Sequence, residues 1–224
     1  MSHKNKIYTL LFLFISSNSY AQINVSGVIS STTWSTSSGP YIVIDDILLQ
    51  EGSTLTIEAG TTVKFLADKQ FQVKGTLVAR GTSSSKITFT SNETSPSKGD
   101  WKYVQFYDES TDASFSGTTY TGGSIIEYCI VEYAEAGLNV SSASPFINYS
   151  EFRYNANAGI KVFNDDYNQP DMLISNNNIH HNGCGIQPYS TASTGYGGTV
   201  FSYNNIHNNS PKGGIDGAYG CTYS

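Results

Sequence analysis

Apolar residues recur two positions apart in short runs along the first half of this chain. The pairs are Leu55 and Ile57, Val63 and Phe65, Phe71 and Val73, Leu77 and Ala79, and Ile87 and Phe89. A spacing of two puts both members of a pair on the same side of an extended strand. Gly52, Gly60, Gly75 and Gly81 lie between the pairs, where a chain of short strands has to turn sharply. The pairs that begin at Leu55, Phe71 and Ile87 are 16 residues apart, which reads as one coil of a repeating structure. Trp101, Tyr103 and Val104 carry the pattern on.

The second half repeats with a different signature. The segments Ile126 to Leu138, Ile147 to Ile160, Ile174 to Ile186 and Phe201 to Ile215 overlay on one another. Each has an apolar residue five positions after its first: Val131, Phe152, Ile179 and Ile206. Each closes on glycine followed by Leu or Ile, at Gly137-Leu138, Gly159-Ile160, Gly185-Ile186 and Gly214-Ile215. Asn155, Asn182 and Asn209 stand three residues beyond the central apolar position. The segment starts are 21, 27 and 27 residues apart. Constant cores joined by connectors of variable length predict stacked coils with loop insertions. An α-helical repeat needs a longer apolar period and fewer Gly and Asn.

Short strands with one apolar face cannot fold alone. Piled in parallel about 4.8 Å apart, they bury those faces in one column. Each fully buried Ile, Val, Leu or Phe then contributes about 1.5–3 kcal/mol. An Asn repeated at a corner can bond its own turn and its copy in the next coil. A general turn preference of Asn would place it there as well.

The run Asn177-Asn178-Ile179-His180-His181-Asn182-Gly183-Cys184-Gly185-Ile186 resembles the Asn-x-Ile-x-x-Asn-x-x-Gly-Ile repeat of secreted right-handed parallel β-helix proteins of the pectate-lyase-like superfamily. Asn204 to Ile215 is similar, with two extra residues before Gly-Ile. Leu55 to Phe65, Val73 to Gly81 and Ile87 to Ser91 resemble the N-terminal coils of that group, and Gly99-Asp100-Trp101 its Gly-x-Trp element. Two departures stand out. Ala134 replaces the corner Asn in the coil from Ile126, and Cys129 and Ser150 stand where Asn177 and Asn204 stand later. The resemblance covers most of residues 25 to 215 and implies an all-β, right-handed parallel β-helix. It leaves function open, because the group includes pectate-lyase-like enzymes, alginate epimerases, carbohydrate-binding modules and adhesin passengers.

Composition agrees with strands and turns. Only 13% of residues are charged and 38% are hydrophobic, with 21 Gly and 16 Tyr. The formal net charge is −6, and the few Lys and Arg are scattered singly. Nucleic-acid binding needs a basic stripe, so no nucleic-acid partner is expected. Residues 1–21 read as a secretory signal peptide. His3, Lys4 and Lys6 precede the apolar run Leu10 to Ile15, and Ser19-Tyr20-Ala21 supplies small residues before Gln22. The apolar run is far shorter than the roughly 20 residues that span a bilayer, so no membrane span is expected. The domain then covers residues 22–224, with N-terminal coils over about 25–106. A loop-rich polar stretch follows at 107–124, containing Asp108, Glu109 and Asp112. The repeat coils cover 125–216, and the tail 217–224 has no amphipathic cap. Solenoids normally cover their last coil, so the chain reads as a fragment missing C-terminal coils. Cys129, Cys184 and Cys221 allow one bridge and a spare thiol, or none. Cys129 and Cys184 read as small buried packing residues.

If Val131, Phe152, Ile179 and Ile206 point inward, the residues after them point outward. Glu132, Arg153, His180 and His207 then form one outer column, and Asn139, Lys161, Gln187 and Asp216 a second. Two polar columns on neighbouring faces suit an elongated sugar chain. The resemblance to lyases implies a basic residue that abstracts a proton, for which Arg153, Lys161, His180 and His207 are candidates, and a cation that neutralises a substrate carboxylate. The plain alternative is a cross-strand ion pair of Arg153 with Glu132 and a solvated histidine ladder. Asp165, Asp166 and Asp171 cluster in the connector Phe163 to Asp171. They are candidates for Ca²⁺, or ordinary turn acids, since the spacing matches no defined calcium loop. The connectors Asn164 to Asp171 and Pro188 to Gly198 should protrude side by side, with Tyr167, Tyr189 and Tyr196 offering aromatic contacts to sugar rings or packing their own loops. The leading expectation is an extracellular β-helix scaffold or binding module that contacts polysaccharide or a cell-surface glycan along its long face. The rivals are a polysaccharide lyase or related carbohydrate-active enzyme, and a structural or adhesive surface protein without a small ligand.

Overall fold

The computed structural model describes residues 22–163, 171–189 and 199–210. Among these residues the regular structure is all β. Apart from one antiparallel hairpin, successive strands fall in turn on three faces and pair in parallel with strands one coil away. Face A stacks the first half of β3 (Tyr41–Leu49) with β5 (Thr62–Phe65), β8 (Ile87–Ser91), β13 (Cys129–Glu132), β16 (Glu151–Arg153), β19 (Asn178–His180) and β22 (Asn205–His207). Face B stacks the second half of β3 with β6 (Phe71–Val73), β9 (Val104–Phe106), β14 (Leu138–Ser141), β17 (Ala158–Phe163) and β20 (Cys184–Tyr189). Face C stacks β2 (Thr32–Trp34), β4 (Thr54–Ile57), β7 (Thr76–Arg80), β12 (Ile125–Glu127), β15 (Phe146–Asn148), β18 (Met172–Ser175) and β21 (Thr199–Ser202). At the N-terminal end β1 (Ile23–Ile29) runs along both halves of β3. This is a parallel β-helix.

The second-half repeat is the coil-to-coil register. Ile126 pairs with Ile147, Ile147 with Ile174 and Ile174 with Phe201. Val131, Phe152, Ile179 and Ile206 form one inward column on face A. The 16-residue repeat of the first half has a different meaning. Leu55 lies on face C, Phe71 on face B and Ile87 on face A, so these residues do not stack. Leu55 pairs with Leu77, Val63 with Phe89 and Phe71 with Val104. Because all three faces alternate in the same way, a step of 16 lands on another inward pair two faces further along. Leu55, Val63, Phe71, Leu77, Ile87 and Phe89 are nonetheless fully buried in one core. Trp101 joins them, stacked on Phe65 at 4.0 Å with its indole N–H donating to the Glu132 carbonyl at 2.9 Å.

Both corners that flank face A are closed by side-chain ladders. At one, Asn204 Oδ1 accepts from the Asn177 amide (3.0 Å), and Asn177 Oδ1 from the Ser150 amide (2.9 Å). Ser150 Oγ accepts in turn from the Cys129 amide (3.0 Å). At the other corner the order is Asn209, Asn182, Asn155, ending on the Ala134 amide. The asparagines therefore satisfy turn amides that stacking buries. Ser150 takes over that role, and Ala134 ends its ladder as an acceptor-free terminus.

The stretch 107–124, expected to be loop, contains an antiparallel hairpin of β10 (Ser114–Ser116) and β11 (Thr119–Gly122). Its Phe115 and Tyr120 pack on Phe146 of face C, at ring distances of 5.2 and 6.2 Å. The Arg80 guanidinium lies 5.2 Å from the Tyr120 ring and pairs with Glu127. The connector placed at Pro188 starts later, because Pro188 and Tyr189 still pair with Val162 and Phe163. Cys129 is a free buried thiol, and burial pushes it well above its ordinary pKa. Cys184 is buried but disulfide-bonded rather than a packing thiol. Among the described residues no helix is long and apolar enough to cross a membrane.

Candidate functional site

Face A carries the expected outer column. Glu132 pairs with Arg153, Arg153 with His180 and His180 with His207. A second outer column runs beside it through Thr88, Ile130, Glu151, Asn178 and Asn205. The groups are mutually engaged. Arg153 Nε donates to Glu132 (2.7 Å) and its Nη1 to Glu151 (2.9 Å). Thr90 donates to the other oxygen of Glu132 (3.0 Å), and Lys86 lies 3.3 Å from Glu151. His180 and His207 stack at 5.0 Å with ring planes 12° apart. The column was expected to be exposed. Glu132 and His180 point outward yet retain only 8% and 9% of their accessibility, because their neighbours in adjacent coils lie against them.

The tautomers follow from the contacts. His180 Nε2 is 3.1 Å from Glu151, an acceptor, so it carries the proton there. Its Nδ1 is 2.7 Å from Nδ1 of His181, so it accepts a hydrogen bond that His181 donates. Burial lowers the His180 pKa below the ordinary imidazole value, against the opposing pull of Glu151. Burial alone would raise Glu151, but the hydrogen bond from His180 and the charges of Arg153 and Lys86 outweigh it and hold the carboxyl low. Arg153, although desolvated, is raised by Glu132 and Glu151.

A pH dependence follows with a definite sign. The unfolded chain protonates His180 more readily than the folded one, so stability is lost as pH falls through about 6.5. A further loss follows below the ordinary carboxylate range, as Glu151 takes up its proton. The melting temperature should drop between about pH 8 and about pH 5.5, and the drop should shrink in His180→Gln. An equal drop in the variant, or a rise on acidification, would contradict this assignment.

Tyrosines bound this polar floor on both sides. Tyr128 and Tyr149 stack at 5.0 Å with planes 6° apart, at the corner before β13 and β16. Tyr133 and Tyr154 stack at 5.8 Å, 11° apart, at the corner after them. Asn176 and Tyr203 follow in the first row and His181 and Asn208 in the second, and all eight residues have φ between +46° and +63°. That left-handed conformation is where the chain must turn between an outer strand and an inner ladder residue. It costs a tyrosine roughly 1–2 kcal/mol. The hydroxyls of Tyr128, Tyr133, Tyr149 and Tyr154 make no hydrogen bond among the described residues, and Tyr149 is 45% exposed. The loop 92–100 backs the second row. Lys98 Nζ donates to the His181 carbonyl, and the Gly99 and Asp100 amides donate to that of Tyr133. Face A is thus a trough with an ionised floor and an aromatic row along each edge.

The second expected column also forms, on face B, where Asn139 pairs with Lys161 and Lys161 with Gln187. Gln72 and Gln105 extend it. Gln187 is buried, and Asn139 Oδ1 is buried without a hydrogen-bond partner among the described residues. Asp216, Asp165, Asp166, Tyr167 and Tyr196 lie outside the described residues, and of Tyr189 only the backbone, at the end of β20, is described. Asp171 is exposed. Among the described residues no three His, Cys, Asp or Glu are grouped to hold a metal ion.

A scaffold of parallel coils with one long polar face defines the class. The chain belongs to the family of pectate-lyase-like β-helix domains, whose model matches residues 27–152. Residues of this chain are also similar to Protein bark beetle of Drosophila melanogaster, 37% identical over 76 residues. That match covers 34% of this chain and 2% of the fly protein. No solved structure matched.

Proposed function

We propose that this β-helix is an extracellular binding module that holds a polysaccharide along face A. The observation that carries the reading is the pair of stacked tyrosine rows on either side of an ionised floor. Tyrosine offers a rigid, amphipathic surface at low entropic cost, with an apolar ring and a hydroxyl for polar contacts. Charged and amide groups between the rows can bond sugar hydroxyls. Coils about 4.8 Å apart repeat on the scale of one sugar ring, so a chain laid along the axis meets similar groups at each step. Face C is less suitable, since the β10–β11 hairpin packs on it. The signal-like residues 1–21 support an extracellular location.

Binding is favoured over proton abstraction by Arg153 or His180, because both are engaged within the floor. Arg153 is held between two carboxylates, and both ring nitrogens of His180 are hydrogen-bonded. A lyase base needs a nitrogen open to substrate.

The test uses the protein's own repeat. Asn176 and Asn208 already occupy row positions in later coils, and Asn adopts the left-handed conformation readily. Tyr149→Asn with Tyr154→Asn removes two rings while easing the backbone. Lost stacking of about 0.5–1.5 kcal/mol per pair roughly offsets that relief, so the melting temperature should change little. Affinity for the glycans retained by the wild type on a glycan array should fall at least about tenfold, or 1.4 kcal/mol. Unchanged affinity would refute the role of the rows. Silence of the wild type across the array would favour a structural or adhesive surface protein.

A further inference from the structure

The tyrosine row at the entry corner of face A does not run the full length of the helix. Cys129 pairs with Ile87, and Thr88 with Thr62, so Tyr128 and Tyr149 are preceded in the row by Lys86 and then Gly60. Lys86 reaches back to Glu151. Gly60 has no side chain, and with φ at +84° it keeps the left-handed turn of the row. Where a ring stands in later coils, an open cavity of about 450 Å³ lies here. Thr36, Ser37, Pro40, Gly60, Thr62 and Lys64 line it. Its volume suits a small ligand. A Cβ at Gly60 would come within 3.2 Å of the Thr36 methyl, so Thr36 packs closely against this bare turn at one wall of the open cavity.

The charge here differs from the rest of the trough. Lys64 lies in register between Ile42 and Thr90, in the column that continues through Glu132 and Arg153. Arg153 and Lys86 are matched by Glu132 and Glu151. Lys64 has no ion pair among the described residues, and Thr36, Ser37 and Thr62 line the same cavity. A cation among hydroxyl-bearing residues, in a space the size of a ring, suits a hydroxylated ring that carries an anionic group.

Resting on the glycan-binding reading of face A, we propose that this cavity is a subsite for an acidic sugar. Lys64 pairs with a carboxylate or sulfate of the ring, and Thr62 and Ser37 bond its hydroxyls. The subsite sets which chains the trough retains, while the tyrosine rows contact any chain that lies between them.

The experiment follows the backbone amides of Thr62 and Lys64 by NMR as glucuronate, glucose 6-sulfate and glucose are added in turn. At least one acid should shift these amides and saturate at concentrations at least about tenfold below those at which glucose does. A response to both acids marks anion recognition in general, and a response to one names the group. Lys64→Arg should keep the response and Lys64→Gln should abolish it, with melting temperatures unchanged. No shift with either acid, or an equal response in Lys64→Gln, overturns the subsite. These monosaccharide readings are separate from array binding by the Tyr149→Asn and Tyr154→Asn variant, so failure of the cavity and failure of the trough are distinguishable.

Discussion

Asn182→Ala is expected to destabilise the protein by about 3–5 kcal/mol, enough to unfold a marginal domain. Asn182 is fully buried and sits in the middle of its ladder. Its Oδ1 accepts from the Asn155 amide (3.0 Å) and from Asn155 Nδ2 (2.8 Å). Its Nδ2 donates to the Phe152 carbonyl (2.9 Å) and to Asn209 Oδ1 (3.0 Å). Alanine leaves the Asn155 amide and the Phe152 carbonyl buried without these partners, at about 1–3 kcal/mol each. Asn182→Asp keeps the acceptor and loses the donor, and it also places a carboxylate beside the Asn209 and Phe152 oxygens, so it should be no milder. By contrast Asn157→Ala, at an exposed position bonded only to Glu135, should stay within about 0.5 kcal/mol. Denaturant unfolding of the three variants checks the ranking. Equal midpoints for Asn182→Ala and the wild type would show that the ladder does not support the coils.

A comparable loss, about 3 kcal/mol or more, is expected for Gly137→Ala. A Cβ there would lie 2.5 Å from the Gly159 carbonyl oxygen and 3.2 Å from both Asn155 Nδ2 and the Phe152 ring. Overpacking a core typically costs about 1–3 kcal/mol, and here the obstruction is backbone that must move with its hydrogen-bonded neighbours. Gly117→Ala, in the hairpin turn, meets nothing within 4 Å and has only its φ of +62° against it. It should cost about 1–2 kcal/mol. Thermal melts separate the two. If Gly137→Ala melted with or above Gly117→Ala, the close stacking of glycines between coils would be wrong.

The glycines before Leu138 and Ile160 were visible in the sequence as punctuation, and their cause is this approach of one coil to the next. The inward column Val131, Phe152, Ile179, Ile206 and the outer column Glu132, Arg153, His180, His207 were legible for a single reason. Strand alternation and a shared register fix both once four segments are aligned. Stacking in the first half was not legible from Leu55, Phe71 and Ile87, since inward pairs on different faces have the same spacing and pattern. The tyrosine rows were missed for another reason. Left-handed positions are read from Gly and Asn, and Tyr128, Tyr133, Tyr149 and Tyr154 occupy them against that preference. The available signal was Tyr at both ends of the five-residue step across β13 and across β16, in line with Asn176 and His181 one coil later. The engagement of Glu151 and Lys86 needed the second outer column and a contact across 65 residues of sequence, which no local pattern contains.

The trough on face A is tested most directly by mapping amide perturbations with an array-selected oligosaccharide on the wild-type protein. Shifts should concentrate at residues 128–133 and 149–154 and extend towards Lys64, with little change across 146–148 on face C. Perturbations centred on 138–141, 160–163 and 186–188 of face B, with the tyrosine corners silent, would contradict the account.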